Sequence, residues 1–384
     1  MKAAIIGLGK SGIAARRILS ARDGVTDFTL FDDNGERPVS EFTDTFDITV
    51  ISPGIPPAKI INRPKKFTSE IELGLNNLPD GARVIAITGT DGKSTTTTLT
   101  AQILKEAGHP AVACGNFGYP LADAVLDHGA GTIFVVELSS YQLDLLPAHP
   151  YFDAACILNI APDHLDRYGT FENYAASKYR IKQMLKPGAK FFDADNIPRK
   201  KYDNFQLPGA HNALNLDFAV ALAQSVINKE ITLSSIIPNL TGLEHRMEYV
   251  PTTDGIHWYN DSKATAIQPV QTALKSFDNR VILLMGGRDK HIDFTPLADD
   301  INARCDFLIL FGESAKKIHA QLSGGVKIPI IMAANLKDAV NKARESATPG
   351  NHILLSPGCT SWDEFKNFEE RGNEFKNYVK NHKS

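Results

Sequence analysis

Thr88-Gly89-Thr90-Asp91-Gly92-Lys93-Ser94-Thr95 carries the residue types that grip a phosphate chain. A glycine-punctuated backbone can turn its N–H groups toward an anion, a following helix adds its amino-terminal dipole, and Lys93 supplies a point charge. A hydroxyl at Ser94 or Thr95 stands where a phosphate-bound Mg²⁺ would be reached. The spacing departs from the commonest phosphate loop: Ile87 occupies the position five before Gly92, so the turn is a tighter variant. A bare Gly-Lys-Ser arises often by chance, and a structural turn is the competing reading. Its setting between an apolar run and a helical run favours nucleotide binding.

Other groups with chemical potential recur at the ends of apolar runs. Glu137 closes Thr132–Val136 and opens Glu137-Leu138-Ser139-Ser140-Tyr141-Gln142; a carboxylate there could hold Mg²⁺, or could cap a helix. His164 sits in Asp163-His164-Leu165-Asp166 after the run Ala154–Ile160. Alone it would read as structural; its place beside acids favours metal or phosphate contact. Lys178, on an expected helix, reads from its neighbours alone as a solvated lysine. Asn212 and Asn215 lie three apart on another expected helix, where an amide could pair with adenine or cap the helix.

These residues need elements to position them. Lys2–Ile6 is an expected strand running into Gly7-Leu8-Gly9-Lys10-Ser11-Gly12 and a helix, the setting of a dinucleotide fingerprint. Phe28–Phe31 and Asp47–Ile51 follow as strands, the first ending at Asp32, where an acid can meet a ribose or base. Residues 1–79 are too short for two βαβαβ halves, which suits one nucleotide diphosphate better than NAD. In residues 80–242 Val84–Thr88 is the strand entering the phosphate loop. Residues 243–384 show strands at Ile256–Tyr259, Val281–Met285, Phe307–Phe311, Ile330–Met332 and His352–Leu355, with polar and glycine residues at their carboxyl ends. The expectation is an α/β protein of three domains: Rossmann-like, phosphate-loop ATPase-like and Rossmann-like, at 1–79, 80–242 and 243–384.

At 384 residues, with 43% hydrophobic and 22% charged residues, the composition is that of a soluble globular protein. A net charge of −3 gives no footprint for nucleic acid. Cys114, Cys156, Cys305 and Cys359 lack metal or disulfide spacing and read as reduced thiols. No apolar run approaches the roughly 20 residues that span a bilayer. A cytoplasmic monomer with no membrane or nucleic-acid partner is expected.

The whole pattern resembles the ATP-dependent Mur ligases, and within them the branch adding D-glutamate to UDP-N-acetylmuramoyl-L-alanine. Beyond the motifs above, the resemblance rests on Ser52-Pro53-Gly54-Ile55, Asp163–Arg167 and His211–Asn215. Its most discriminating blocks are Asn260-Asp261-Ser262-Lys263-Ala264-Thr265 and Lys366-Asn367-Phe368-Glu369-Glu370-Arg371-Gly372, with Gly286–Lys290 between them. It implies that Gly89, Thr90, Asp91, Gly92, Lys93, Ser94 and Thr95 hold ATP phosphates, helped by Asn212, Asn215, Arg246 and Asp261. Ser94, Glu137, His164 and a carbamylated Lys178 would serve a pair of Mg²⁺ ions, and Lys93, Glu137, His164 and Lys178 would be catalytic. Lys10, Ser11 and Asp32 would meet the uridine diphosphate, with Asn116 and Ser139 near the muramoyl part. Lys263, Thr265, Lys290, Ser361 and Phe368 would form the D-glutamate pocket.

Asp91 and Ala266 stand where the family usually has asparagine, and the chain is short around 36–46 and 190–207. An NAD-dependent oxidoreductase would leave the phosphate loop unexplained. A non-catalytic nucleotide-binding relative and a sibling ligase for another amino acid remain rivals, separable by product formation with a panel of amino acids.

Overall fold

The computed structural model describes residues 1–381 except Arg63, Lys65, residues 228–230 and Asp254. The chain forms two compact units. The first takes Met1–Lys201 and Leu214–Ile236; the second takes Tyr202–Ala213 and the chain from Ile237 onward.

The first unit contains two parallel sheets. β1 (Lys2–Ile6), β2 (Asp27–Phe31) and β3 (Ile48–Ile51) run in the order β2-β1-β3. β4 (Arg83–Thr88), β5 (Ala111–Gly115), β6 (Ile133–Glu137), β7 (Phe152–Ile157) and β8 (Leu185–Phe192) run in the order β5-β6-β4-β7-β8. The helices of this unit are α1 (Lys10–Arg22), α2 (Glu70–Asn76), α3 (Lys93–Glu106), α4 (Leu121–Asp127), α5 (Ser140–Leu145), α6 (Leu165–Tyr168) and α7 (Phe171–Tyr179); α8 (Ala210–Ile227) starts in the second unit and continues in the first. The near-continuous apolar runs of β4 and β6 are what a parallel strand covered on both faces requires, and both strands are almost wholly buried.

One apolar core joins the two sheets. Ala14, Ile18 and Leu19 of α1, Ile71 and Leu75 of α2 and Leu121 and Val125 of α4 lie in a single buried cluster with Ile5, Val84 and Phe134. At Gly74 a Cβ would stand only 2.7 Å from Leu121 Cγ, so α2 and α4 approach at a distance only glycine allows. The expected boundary after residue 79 therefore separates two sheets of one compact unit.

The second unit holds a mixed sheet. Its strands are β9 (Glu248–Val250), β10 (His257–Asn260), β11 (Val281–Gly286), β12 (Cys305–Phe311), β13 (Ile330–Met332) and β14 (His352–Gly358). The order is β13-β12-β11-β14-β10-β9, all parallel except β9. Its faces bury separate clusters, one around Leu283, Leu308 and Leu354, the other around Leu284, Ile309 and Phe375. Beta-strand alternation across one sheet sends neighbouring residues to opposite layers.

Candidate active site

The middle sheet explains why the chemical residues of the first unit converge. β4 lies between β6 and β7, and Ile87 pairs in register with both Glu137 and Cys156. The segments leaving the carboxyl ends of these strands therefore emerge side by side, where open α/β sheets hold ligands. Gly92 is the N-cap of α3 with φ 80°, and a Cβ there would fall 2.4 Å from Asn215 Oδ1. Asn215 also accepts from Thr96 Oγ1 at 3.3 Å, so α8 closes over the start of α3 within this unit.

Glu137 is buried, and its two oxygens are divided. Ser94 donates to Oε2 at 2.6 Å and Asn116 Nδ2 to Oε1 at 3.0 Å. A carboxylate, a hydroxyl and a helix N-terminus thus meet at one point. Mg²⁺ commonly uses one or two protein carboxylates and takes its remaining ligands from phosphates and water, so this donor set fits. Among the described residues no group of three or more His, Cys, Asp or Glu converges as a preformed metal cage.

Lys93 Nζ arches back to the carbonyls of Gly89 (3.0 Å) and Thr90 (2.7 Å). Lys178 donates to the same Gly89 carbonyl at 2.7 Å. The reading of Lys178 as a solvated lysine is overturned: it is 2% exposed. α7 turns Tyr174, Ser177 and Lys178 inward, and Lys178 Nζ lies 4.7 Å from the Tyr174 ring centre. Burial, helped by the nearby Lys93 cation, lowers the Lys178 pKa to about 7. A lysine neutral near physiological pH is a nucleophilic amine.

The rest of the loop is braced from the segment that follows β7. Asn159 accepts from the Asp91 N–H at 2.9 Å and donates to the Asp91 carbonyl at 3.0 Å. The Asp91 side chain is exposed. Thr90 Oγ1 meets Tyr174 OH at 3.1 Å and accepts from the Ala161 N–H at 3.0 Å. Thr95 is half-buried in the first turn of α3. His164, with φ 53°, precedes α6 and lies exposed; its Nε2 is 3.4 Å from Asp163, and its ring is 5.0 Å from Tyr141 and 6.0 Å from Tyr174.

Ser139 is the N-cap of α5, in a reciprocal capping box with Gln142, so its hydroxyl is already engaged. At the glycine-rich turn after β1, a Cβ on Gly12 would lie 2.0 Å from the Gly7 carbonyl, which is the close strand–helix approach such turns need. Asp32 accepts from the N–H groups of Leu8 (2.6 Å) and Asn34 (3.0 Å), and these bonds hold its pKa below the usual carboxylate range. Lys10 and Ser11 open α1, with no side-chain cap before them. Lys10 Nζ is 4.0 Å from where a Cβ on Gly118 would sit, which brings this turn near the Asn116 segment.

In the second unit, Asp261 is buried and accepts from Ser356 Oγ (2.8 Å) and the Met247 N–H (3.3 Å); burial raises its pKa to about 7. Asn212 donates to the Pro208 carbonyl at 2.7 Å, and Arg246 is exposed. Lys263 is exposed with Nζ 5.8 Å from the Phe368 ring centre, and Lys290 Nζ is 5.4 Å from that of Trp362. Ser361 is buried and Thr265 half-buried.

Residues without an assigned role in the sequence also matter. Arg371 is fully buried, donating through Nε to Ser262 Oγ (2.9 Å) and through Nη2 to the Ser262 carbonyl (2.8 Å). Its signal was present: Arg371, Phe375 and Val379 share the buried face of the helix Phe368–Lys380 at four-residue spacing. Arg167 donates to the Pro53 carbonyl at 2.9 Å and lies 3.7 Å over Tyr141, a contact between segments distant in sequence that no local pattern encodes.

Comparison with known proteins agrees in region after region. Residues 87–202 match the Mur ligase middle domain and residues 245–359 the Mur ligase, glutamate ligase domain. The UDP-N-acetylmuramoylalanine--D-glutamate ligase of Pelodictyon phaeoclathratiforme is 35% identical, covering 98% of this chain and 97% of that protein. Its namesake from Caldicellulosiruptor bescii is 33% identical over 98% and 96%. Those alignments run over 461 and 447 positions against 384 residues, so they open gaps in this chain. In fold it is similar to UDP-N-acetylmuramate-alanine ligase MurC of Thermotoga maritima (TM-score 0.53, 15% identity, 98% of each chain). A UDP-N-acetylmuramoyl-L-alanyl-D-glutamate--2,6-diaminopimelate ligase gives a TM-score of 0.55 at 18% identity, over 83% of this chain and 88% of that one.

Proposed function

This chain belongs to the ATP-dependent Mur ligases, and we propose that it joins D-glutamate to UDP-N-acetylmuramoyl-L-alanine in the assembly of peptidoglycan precursors. The observation that carries this reading is the Glu137–Ser94–Asn116 cluster at the mouth of the Gly89–Thr95 loop, beside Lys93. The three sheets would divide the work: the β1–β3 sheet for the uridine diphosphate, the β4–β8 sheet for ATP, the β9–β14 sheet for the amino acid.

In this reading the L-alanyl carboxylate attacks the γ-phosphorus of ATP; the bond to the β–γ bridging oxygen breaks and ADP leaves, giving an acyl phosphate. The amine of D-glutamate then attacks the acyl carbon, loses a proton, and expels phosphate to leave the amide. Phosphoryl transfer depends mainly on positioning and charge neutralisation. Lys93, released from the Gly89 and Thr90 carbonyls, would turn to the γ-phosphate, and the free N–H groups of the first turn of α3 would take the β-phosphate. Mg²⁺, held by Glu137 and Ser94, would supply further neutralisation of the transferring oxygens. Lys178 in its neutral form adds CO₂ and releases a proton to become an anionic carbamate, a further carboxylate at the same wall. Lys263 and Lys290 would meet the carboxylates of D-glutamate.

Phosphate release assayed with ATP, UDP-N-acetylmuramoyl-L-alanine and a panel of amino acids tests the reading. D-glutamate alone should support release, and Lys93→Ala should abolish it. Release with another amino acid only would point to a sibling ligase, and ATP binding without any product to a non-catalytic relative.

A further inference from the structure

The chain has two tryptophans, and they are used oppositely. Trp258, a residue of β10, is fully buried in the apolar cluster on one face of the second unit's sheet, whereas Trp362 is 57% exposed. An indole left in water forgoes a large burial gain, so an exposed one next to a charged side chain invites a reason. Lys290 rests over this ring, with Nζ 5.4 Å from its centre. It has no ion pair or hydrogen bond among the described residues. The neighbouring acids are committed elsewhere: Asp289 to Lys317 at 2.7 Å and to the Ile292 N–H, Asp363 to the Glu313 N–H at 3.0 Å.

The two segments are fixed against each other. Arg288 and Thr360 exchange backbone hydrogen bonds of 2.9 and 3.0 Å, and Thr360 Oγ1 adds a third to the Arg288 carbonyl. Lys290 and Trp362 each follow that clamp by two residues, so ring and ammonium are brought together by rigid backbone. The electron-rich face of an indole attracts an ammonium without neutralising it. An ion pair in the same place would have to be broken before a substrate carboxylate could bind.

We propose that Trp362 is a positioning residue of the amino-acid site: its ring holds the Lys290 ammonium extended and unpaired, ready for a carboxylate of the incoming amino acid. This rests on the reading of Lys290 as a D-glutamate contact. A flexible lysine stem ordered in advance loses less freedom on binding, so the benefit belongs to substrate affinity.

The test is phosphate release with D-glutamate varied at saturating ATP and UDP-N-acetylmuramoyl-L-alanine, for the wild-type chain, Trp362→Leu and Trp362→Phe. Loss of an exposed cation–π contact should raise the KM for D-glutamate roughly two- to fivefold in Trp362→Leu. The values of kcat and of KM for ATP should stay unchanged. Trp362→Phe, which keeps a weaker aromatic face, should recover part of the difference. An unchanged KM for D-glutamate in Trp362→Leu, a loss confined to kcat, or equal losses in both variants overturns the proposal alone. Wild-type protein that releases no phosphate with D-glutamate would overturn the ligase reading and this proposal together.

Discussion

Asp91 places an exposed carboxylate one residue before the glycine that starts α3, while its backbone is pinned on both sides by Asn159. The pinning means the turn keeps its shape whatever the side chain carries. A carboxylate beside a bound triphosphate would cost on the order of 1 kcal/mol in solvent-screened surroundings. Asp91→Asn is therefore expected to lower the KM for ATP about three- to tenfold, most clearly at low salt, with kcat little altered. An unchanged KM would mean that water or metal already screens the carboxylate. Lys178 gives a second expectation. With its pKa lowered from 10.5 to about 7, the neutral amine dominates above pH 7 and is lost as pH falls. At fixed dissolved CO₂, phosphate release should fall between pH 8 and pH 6; at pH 8 it should drop on CO₂ depletion and recover with added bicarbonate, and Lys178→Ala should be partly rescued by short carboxylic acids. Full wild-type activity of that variant without rescue would remove Lys178 from the mechanism. The local sequence could not show this residue's burial: Tyr174-Ala175-Ala176-Ser177-Lys178 has no apolar stripe strong enough to say which face turns inward. Lys93 and Ser94 were legible because their chemistry depends on sequence spacing within one turn.

Helix ends and helix contacts carry the consequences at the next scale. Ala266 is the N-cap of the helix Ile267–Lys275 and offers no side-chain acceptor to its first N–H groups. Ala266→Asn should supply one and stabilise the protein by about 1 kcal/mol, read as a higher urea midpoint with an unchanged m-value. No gain would mean that water already satisfies that helix end. Glu70 of α2 is buried against α4, accepting from the Ala122 N–H at 2.7 Å, and burial raises its pKa from 4.5 to about 7. The raised value means its stability contribution is intact below pH 4.5, where both states are protonated, and is lost progressively as pH rises to about 7. Glu70→Gln keeps the accepting oxygen without the charge. It should exceed wild type by about 3 kcal/mol at pH 8 and match it near pH 4. Equal stability at both values would show that the carboxylate is solvated in the folded chain. The strands themselves were unevenly legible. β1 and β13 have the bounds read from the sequence, because β-branched runs and a proline entry mark them. β8 (Leu-Lys-Pro-Gly-Ala-Lys-Phe-Phe) was missed: it is an edge strand, where proline, glycine and lysine are tolerated and the apolar pattern fades. β5 is built of alanine, cysteine and glycine with one valine, and β9 has three residues, so neither offers a pattern to read. The expected strand Ala154–Ile160 ends at Ile157 because the next residues leave the ladder, with Asn159 bracing the phosphate loop.

At the scale of the whole molecule, the sequence suggests three domains by its motif blocks, whereas buried contacts gather the chain into two units. Motifs mark where chemistry is placed; cohesion depends on which apolar faces meet. The meeting of α1, α2 and α4 between the first two sheets leaves no local trace beyond Gly74. Each unit has its own apolar clusters, and the loop, Glu137, Lys178 and Asn215 all belong to the first. Calorimetry should therefore resolve two transitions, the first sheet melting with the middle one rather than separately. A non-hydrolysable ATP analogue at 100 times its Kd should stabilise the transition of the first unit by about 2.7 kcal/mol. Hydrogen exchange would assign that transition through amides of β4 and β6. Separate melting of the β1–β3 sheet would contradict the shared core, and a single transition with equal calorimetric and van't Hoff enthalpies would show that the two units unfold as one. The chain enters the second unit at Tyr202, returns to the first at Leu214 and leaves again after Ile236. A cut near residue 79 would therefore open a shared core, and a cut near residue 242 would strand Tyr202–Ala213 without the unit it packs into, so both truncations should give poorly soluble fragments.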